Sequence, residues 1–232
     1  MASWMIHLRV AQELLEKTNL ECVTEFIMGN IAPDSGVPSE DGTNYIPSNT
    51  VSHYNQVDEN GIKGVHEERF IASYLTEEQR KKYTKEQYTF YFGYLTHLLT
   101  DKLWAREIVY SAKAQMEDLF QNNNAEFWRF VKHDWYDLDF LYLRKNPDFK
   151  AFQIYENTTE FKNTYLEFFA EDAFEKRRGF ITGFYHDGVE KVEEREMYIS
   201  AEQLDAFVSD AVDEIIETCR EYLHELLGTK EL

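Results

Sequence analysis

The segment YFGYLTHLLTD, Tyr91 to Asp101, sets His97 and Asp101 four residues apart inside a run made largely of aromatic and aliphatic residues. Positions i and i+4 share one face of a helix, so imidazole and carboxylate project side by side. Two such polar groups in an apolar stripe need a partner, because burying them unpaired costs several kcal/mol. The partner is the other member of the pair, a hydrogen-bonding neighbour or a metal ion. Helix-borne His and carboxylate side chains are the parts from which divalent-metal sites in helical bundles are assembled.

Helical patterns extend outward from this segment. Residues 85–104 read as one long helix that carries it. Ser3 is placed to cap a first helix reaching about residue 17, with Trp4, Leu8, Ala11 and Leu15 as its apolar stripe and His7 on that stripe. A short helix over residues 20–28 stops at Gly29. The stretch GNIAPDSGVPSEDGTNYIPSNTVSHY, residues 29–54, then holds three of the four prolines. A loop of this length is uncommon inside a domain and points to function; it carries Asp34 near its start and His53 near its end. Helical patterns resume over residues 66–75, and again over 108–144 with a break at 122–124, before Pro147.

The remainder reads as a short helix at 149–155, a helix over 165–184, a turn at His186-Asp187-Gly188 and a short strand at Met197-Tyr198-Ile199. A last helix runs from Ser200, three residues before Gln203 as in a capping box, to Gly228. The predicted class is all-α: a multi-helix bundle in a single helical domain, 1–232. Residues 1–145 carry the candidate site, and 146–232 extend the same bundle.

With 43% hydrophobic and 16% aromatic residues, the 232-residue chain can bury a large core and is not of disordered composition. Its net charge of −19 argues against binding a long nucleic acid, since no basic stripe is present to displace counterions. It argues equally against tight adsorption to an anionic membrane, and it suits a protein that concentrates divalent cations. Cys22 and Cys219 match no zinc-finger or thioredoxin spacing and read as reduced, structural thiols. The N-terminal stretch lacks a basic leader and gains charges at Arg9, Glu13 and Glu16, so it reads as an amphipathic helix rather than a targeting segment. No run approaches the ~18 apolar residues of a membrane span. A cytoplasmic protein is expected.

Of the seven histidines, His66, His186 and His224 lie in polar surroundings and read as solvated. His7, His53, His97 and His133 sit in or beside apolar sequence. His133 and Asp137 form a second i,i+4 pair within VKHDWYDLDF, where Asp134 and Asp139 compete for the inward-facing position. Two His-x-x-x-Asp pairs, a His on the first helix and a loop bearing Asp34 and His53 make a candidate inward cluster. A donor set of His and Asp without thiolate suits Zn²⁺, Mn²⁺ or Fe²⁺. Spacing leaves the other reading open: buried His–Asp hydrogen-bond pairs and helix caps.

In order and approximate spacing, four features resemble the zinc-ligand series of the bacterial zinc-dependent phospholipases C, a family related in fold to the single-strand-specific zinc nucleases. They are the early helix with His7, the GNIAPDSG loop with Asp34, His53 after it, and GYLTHLLTD with His97 and Asp101. The resemblance spans roughly residues 1–140. It implies a helical phosphoester hydrolase with one or two zinc ions. Asp34, His53, His97 and Asp101 then hold one ion, while His7 and Asp101 contribute to a neighbouring one. The family's later His-x-x-x-Glu pair is matched by His133 and Asp137, with Asp replacing Glu. In the family the loop Asp lies near the attacking water, which gives Asp34 a second role as general base. A bound zinc lowers the pKa of its water from about 15.7 to about 7 and neutralises phosphoryl oxygens.

The implied substrate is a phospholipid or a small phosphodiester, with Tyr45, Tyr54, Phe70 and Trp135 as candidates for an aromatic wall that can hold a choline-like cation. Two departures from the family stand out. Secreted members use an N-terminal Trp as a ligand, whereas Trp4 lies inside this chain with no signal or propeptide expected before it. No His occurs between Asp101 and His133, so a third metal is not expected. A His-Asp-type nucleotide phosphohydrolase, using His133 and Asp134 with His53 and His97, is an alternative that leaves the GNIAPDSG loop without a role. A non-catalytic, metal-stabilised helical protein that binds a partner through its acidic surface is another.

Overall fold

Ser3 opens the first helix by accepting a hydrogen bond from the Ile6 N–H, in a computed structural model that describes residues 1–39, 44–58, 61 and 63–228. That bond satisfies one of the donors a helix start leaves unpaired. Helix α1 (Trp4–Thr18) ends at Asn19, which adopts a left-handed conformation and returns its N–H to the Leu15 carbonyl. Helix α2 (Val23–Ile31) runs directly into a 3-10 turn, Ala32–Asp34.

The segment expected as one irregular loop is built from small pieces. Strand β1 (Val37–Pro38) pairs antiparallel with β2 (Tyr45–Ile46), and a one-turn helix α3 (Asn49–Ser52) follows. Strand β3 (Asn55–Val57) then pairs with β4 (Lys63–Val65). Residues 40–43 of the expected loop lie outside the described residues.

Helices α4 (Glu67–Tyr74) and α5 (Glu77–Arg80) lead to α6 (Lys85–Trp104), which opens with a reciprocal Thr84–Gln87 capping box. A π-helical stretch, Ala105–Val109, continues into α7 (Tyr110–Gln115), α8 (Glu117–Asn122) and α9 (Asn124–Lys145). The chain closes with α10 (Lys150–Asn157), α11 (Ala173–Val189), α12 (Ala201–Thr218, capped by Ser200 and Gln203) and α13 (Arg220–Leu227). The architecture is predominantly helical, as the periodicity predicts.

Further expectations change: α2 continues through Gly29 to Ile31, and the last helix divides into α12 and α13. The helix expected over 165–184 begins only at Ala173. Before it, the Asn163 amide accepts from the Tyr165 and Leu166 N–H groups and donates to the Leu166 and Phe169 carbonyls. An Asn side chain that takes backbone donors and acceptors competes with the helix ladder. The turn expected at His186-Asp187-Gly188 lies inside α11. Met197-Tyr198-Ile199 is a bend rather than a strand.

The packing that positions the site is the contact of α2 with α6. A Cβ at Gly29 would collide with the Phe90 carbonyl, and one at Gly93 with the Phe26 carbonyl. Glycine at both positions lets the two backbones touch. One buried apolar cluster runs from Ala2 to Leu226, with α12 against α1 and α6, α10 against α1 and α2, and α11 against α9. Among the described residues no helix is long and apolar enough to cross a membrane. Cys22 and Cys219 are free thiols, the latter buried.

Candidate metal centre

Three helices and a turn bring five of the seven sequence-predicted residues to one place. Helix α6 contributes His97 and Asp101, α1 contributes His7, the 3-10 turn supplies Asp34, and His53 caps α3. His7 and His97 are fully buried, and His53 and Asp101 nearly so. The Asp34 side chain keeps 13% of its surface exposed. Donor atoms of His7, Asp34 and His97 all lie within 4.8 Å of one another, as do those of His53, His97 and Asp101.

Asp101 is the hub. Its Oδ1 lies 3.4 Å from His7 Nε2, and its Oδ2 lies 3.6 Å from His97 Nε2 and 3.9 Å from His53 Nε2. The His7 and His97 rings stack with centroids 3.6 Å apart.

Outer partners orient these groups. His97 Nδ1 donates to the Asn30 carbonyl at 2.7 Å, a bond the close α2–α6 approach permits. A neutral imidazole that donates from one nitrogen presents a lone pair at the other, here Nε2. His53 meets Ser52 Oγ through Nδ1 at 2.9 Å and Asp34 Oδ1 through Nε2 at 3.1 Å. The Ala2 N–H donates to Asp101 Oδ1 at 2.7 Å. On the inner side, His7 Nε2, His97 Nε2 and Asp101 Oδ2 are buried without a hydrogen-bond partner among the described residues.

Protonation states suit ligation. Burial, reinforced by neighbouring His7, pushes the His97 imidazole down to about 3, which leaves it neutral. Burial alone would raise the Asp34 carboxyl, but the His53 hydrogen bond and the nearby His97 outweigh it and hold Asp34 at about 2. Neutral imidazoles and ionised carboxylates are the forms that bind a divalent cation.

The expected joining of His133 and Asp137 to this cluster does not occur. The His133 side chain is 61% exposed, and Asp137 Oδ2 pairs with the Arg195 guanidinium at 2.8 Å. Of the competing carboxylates, Asp134 and Asp139 are the buried ones. Asp134 binds Arg195 at 2.6 Å and accepts from the Tyr198 N–H. Of the histidines expected to be solvated, His66 pairs with Glu68 and His186 with Glu156.

A cleft of about 530 Å³ opens beside the cluster, with Asp34 and His53 in its wall. Of the expected aromatic wall, Tyr45 and Trp135 line this cleft. Phe70 instead stacks on Tyr94 in the core, and Tyr54 packs edge-on against Phe70. Sequence reasoning did not single out the orienting groups Asn30, Ser52 and the Ala2 amide, because two of them act through backbone atoms. It also left Asp139 without a role. Its oxygens accept from the Ser3 and Tyr185 hydroxyls, each at 3.0 Å, and Tyr185 in turn accepts from the Met5 N–H. That network pins the start of α1, and so His7. Burial raises the Asp139 carboxyl to about 7 despite those two hydrogen bonds.

No family model matches this sequence, and neither the curated proteins nor the solved structures provide a match.

Proposed function

We propose that His7, Asp34, His53, His97 and Asp101 hold one or two zinc ions and that the protein hydrolyses a small phosphoester. The supporting observation is the inward convergence of His7 Nε2, His97 Nε2 and Asp101 Oδ2, all buried and unpartnered. Leaving a buried polar atom unsatisfied costs about 1–3 kcal/mol, and one divalent cation would satisfy the set together. Three imidazoles and two carboxylates without thiolate fit Zn²⁺, and Mn²⁺ or Fe²⁺ share that preference. Asp101 faces His7 with one oxygen and His97 and His53 with the other, which suits a carboxylate shared between two ions.

Bound there, the cation would supply a Lewis acid that acidifies a water and offsets phosphoryl charge. The chain's own groups do the rest. Asp34, ionised and open to the cleft, is placed to accept the proton of the attacking water. The Asn30 carbonyl fixes the ring of His97, and the Ala2 amide fixes Asp101.

The cleft beside Asp34 and His53 favours turnover over a purely structural metal. The His-Asp phosphohydrolase alternative draws no support from the placement of His133 and Asp134, which are engaged with Arg195.

Elemental analysis of protein purified without a metal-affinity tag tests the site. About one or two equivalents of zinc are expected, with loss in His97→Ala and Asp101→Ala and chelator-sensitive cleavage of phosphoesters. Wild-type protein that stays metal-free after zinc is supplied overturns the proposal.

A further inference from the structure

The cleft has a second part to its lining, made by one stripe of α9 and the face of α11 that carries Arg177. Trp128, Lys132, Trp135 and Tyr136 follow one another at helical spacing along α9, and all line the cleft. Arg177 and Phe180 come from α11, and Trp4 from the start of α1.

Two cations stand in this wall of a chain of net charge −19. Arg9, Arg80, Arg106, Arg129, Arg178, Arg195 and Arg220 each bind a carboxylate. Among the described residues Arg177 and Lys132 form no such pair. One Arg177 nitrogen donates to the Gly36 carbonyl, and its guanidinium lies 5.4 Å from the Phe180 ring and 5.9 Å from the Trp4 ring. That single anchor orients the planar fork and leaves its other N–H groups without an acceptor among the described residues. A fixed guanidinium with free N–H groups is suited to bidentate capture of a phosphoryl oxygen pair.

We infer that Arg177 and Lys132 form the anion-receiving wall of this cleft, and that its ligand is a small phosphoester carrying a flat organic group rather than a choline-type cation. The Trp4 and Phe180 faces already hold the guanidinium of Arg177, and its charge together with that of Lys132 repels a cationic headgroup from the rest of the cleft. The rings of Trp128 and Tyr136 offer contact area for a planar substituent, and about 530 Å³ is a small-molecule volume. Treating the bound anion as a substrate rests on the metal-site proposal; the anion site itself rests on the second wall alone.

Inorganic phosphate is the probe, titrated into the full-length protein in metal-free and zinc-supplied forms. The readout is the fluorescence of Trp4, Trp128 and Trp135, with tetramethylammonium as the cationic comparison. Saturable phosphate binding is expected, weakened about 10–100-fold in Arg177→Gln, as for loss of a charge-assisted contact. Lys132 is exposed, so Lys132→Gln should weaken binding about threefold without disturbing the fold. Arg177→Lys, which keeps the charge and loses the fork, should fall between Arg177→Gln and wild type.

Phosphate binding unchanged in both Gln variants, or saturation by tetramethylammonium but not by phosphate, overturns the inference. Arg177-dependent binding in a protein that takes up no zinc would uphold the anion wall and sink the metal site. Zinc uptake with Arg177-independent phosphate binding would do the reverse.

Discussion

His97 with Asp101 on α6, and His133 with Asp137 on α9, are the same motif with opposite fates. The first pair is buried, touches residues from α1 and from the loop, and turns unpartnered atoms inward. The second lies at the surface, its His 61% exposed and both members against Arg195. Spacing places two side chains on one face but does not say what that face meets. Successive residues turn about 100° around a helix, so His133 and Asp137 lie about 100° and 140° from Lys132, off the cleft-facing stripe of α9. Helix α6 is buried around most of its circumference, so any polar pair on it meets other elements.

The largest contrast between the pairs should be metal content. Asp101→Ala should cost more zinc affinity than the ~10–100-fold typical of outer-shell changes, while His133→Ala keeps the full complement; elemental analysis of the two proteins decides. Equal loss in both variants would join the pairs into one site against the geometry.

A large stability effect should come from a neighbour of the exposed pair. Asp134→Ala removes one of the two carboxylates on Arg195 and the acceptor of the part-buried Tyr198 N–H, and should cost about 2–3 kcal/mol in urea denaturation. A change below about 1 kcal/mol would make the Arg195 network a solvated one.

His97 and Asp139 should also make opposite contributions to the pH dependence of stability in metal-free protein. His97 is held at about 3 against an ordinary 6.5, so between those values the unfolded chain binds the extra proton. That contribution is complete above about 6.5 and is lost as pH falls towards 3. Asp139 runs the other way, raised to about 7 from an ordinary 3.8. The folded state there keeps a proton the unfolded chain has released. Its contribution is fully present below about 3.8 and is lost as pH rises through about 7. Urea midpoints across that window should therefore show Asp139→Asn gaining on wild type as pH rises; a constant offset would refute the raised carboxyl.

The smallest effect should belong to the exposed pair itself. Asp137→Asn, which weakens one arm of the Arg195 contact, should shift stability by no more than about 1 kcal/mol and leave zinc binding untouched.

Much of the fold was legible because its signals are local. The capping pair Ser200–Gln203 and the cap Ser3 mark the starts of two helices that the structure contains. The region before Ala173 was misread because Asn163 takes over backbone groups that a helix would use, and composition does not announce that. The five residues of the candidate cluster were legible from residue type and chain order. The Asn30 carbonyl and Ala2 amide carry no side-chain signature and could not be.

By itself, the sequence determined the helical class, the i,i+4 adjacency of His97 with Asp101 and of His133 with Asp137, and the absence of a basic stripe. These follow from backbone periodicity and composition, which act over a few residues or over the whole chain. Tertiary structure alone decided which pair is buried, that Asp139 rather than Asp137 faces inward from α9, and that Arg177 and Lys132 share a cleft with Asp34. Those outcomes depend on close approach between elements far apart in sequence, such as the glycine-lined contact of α2 with α6. Burial then makes a polar atom costly unless another element supplies its partner.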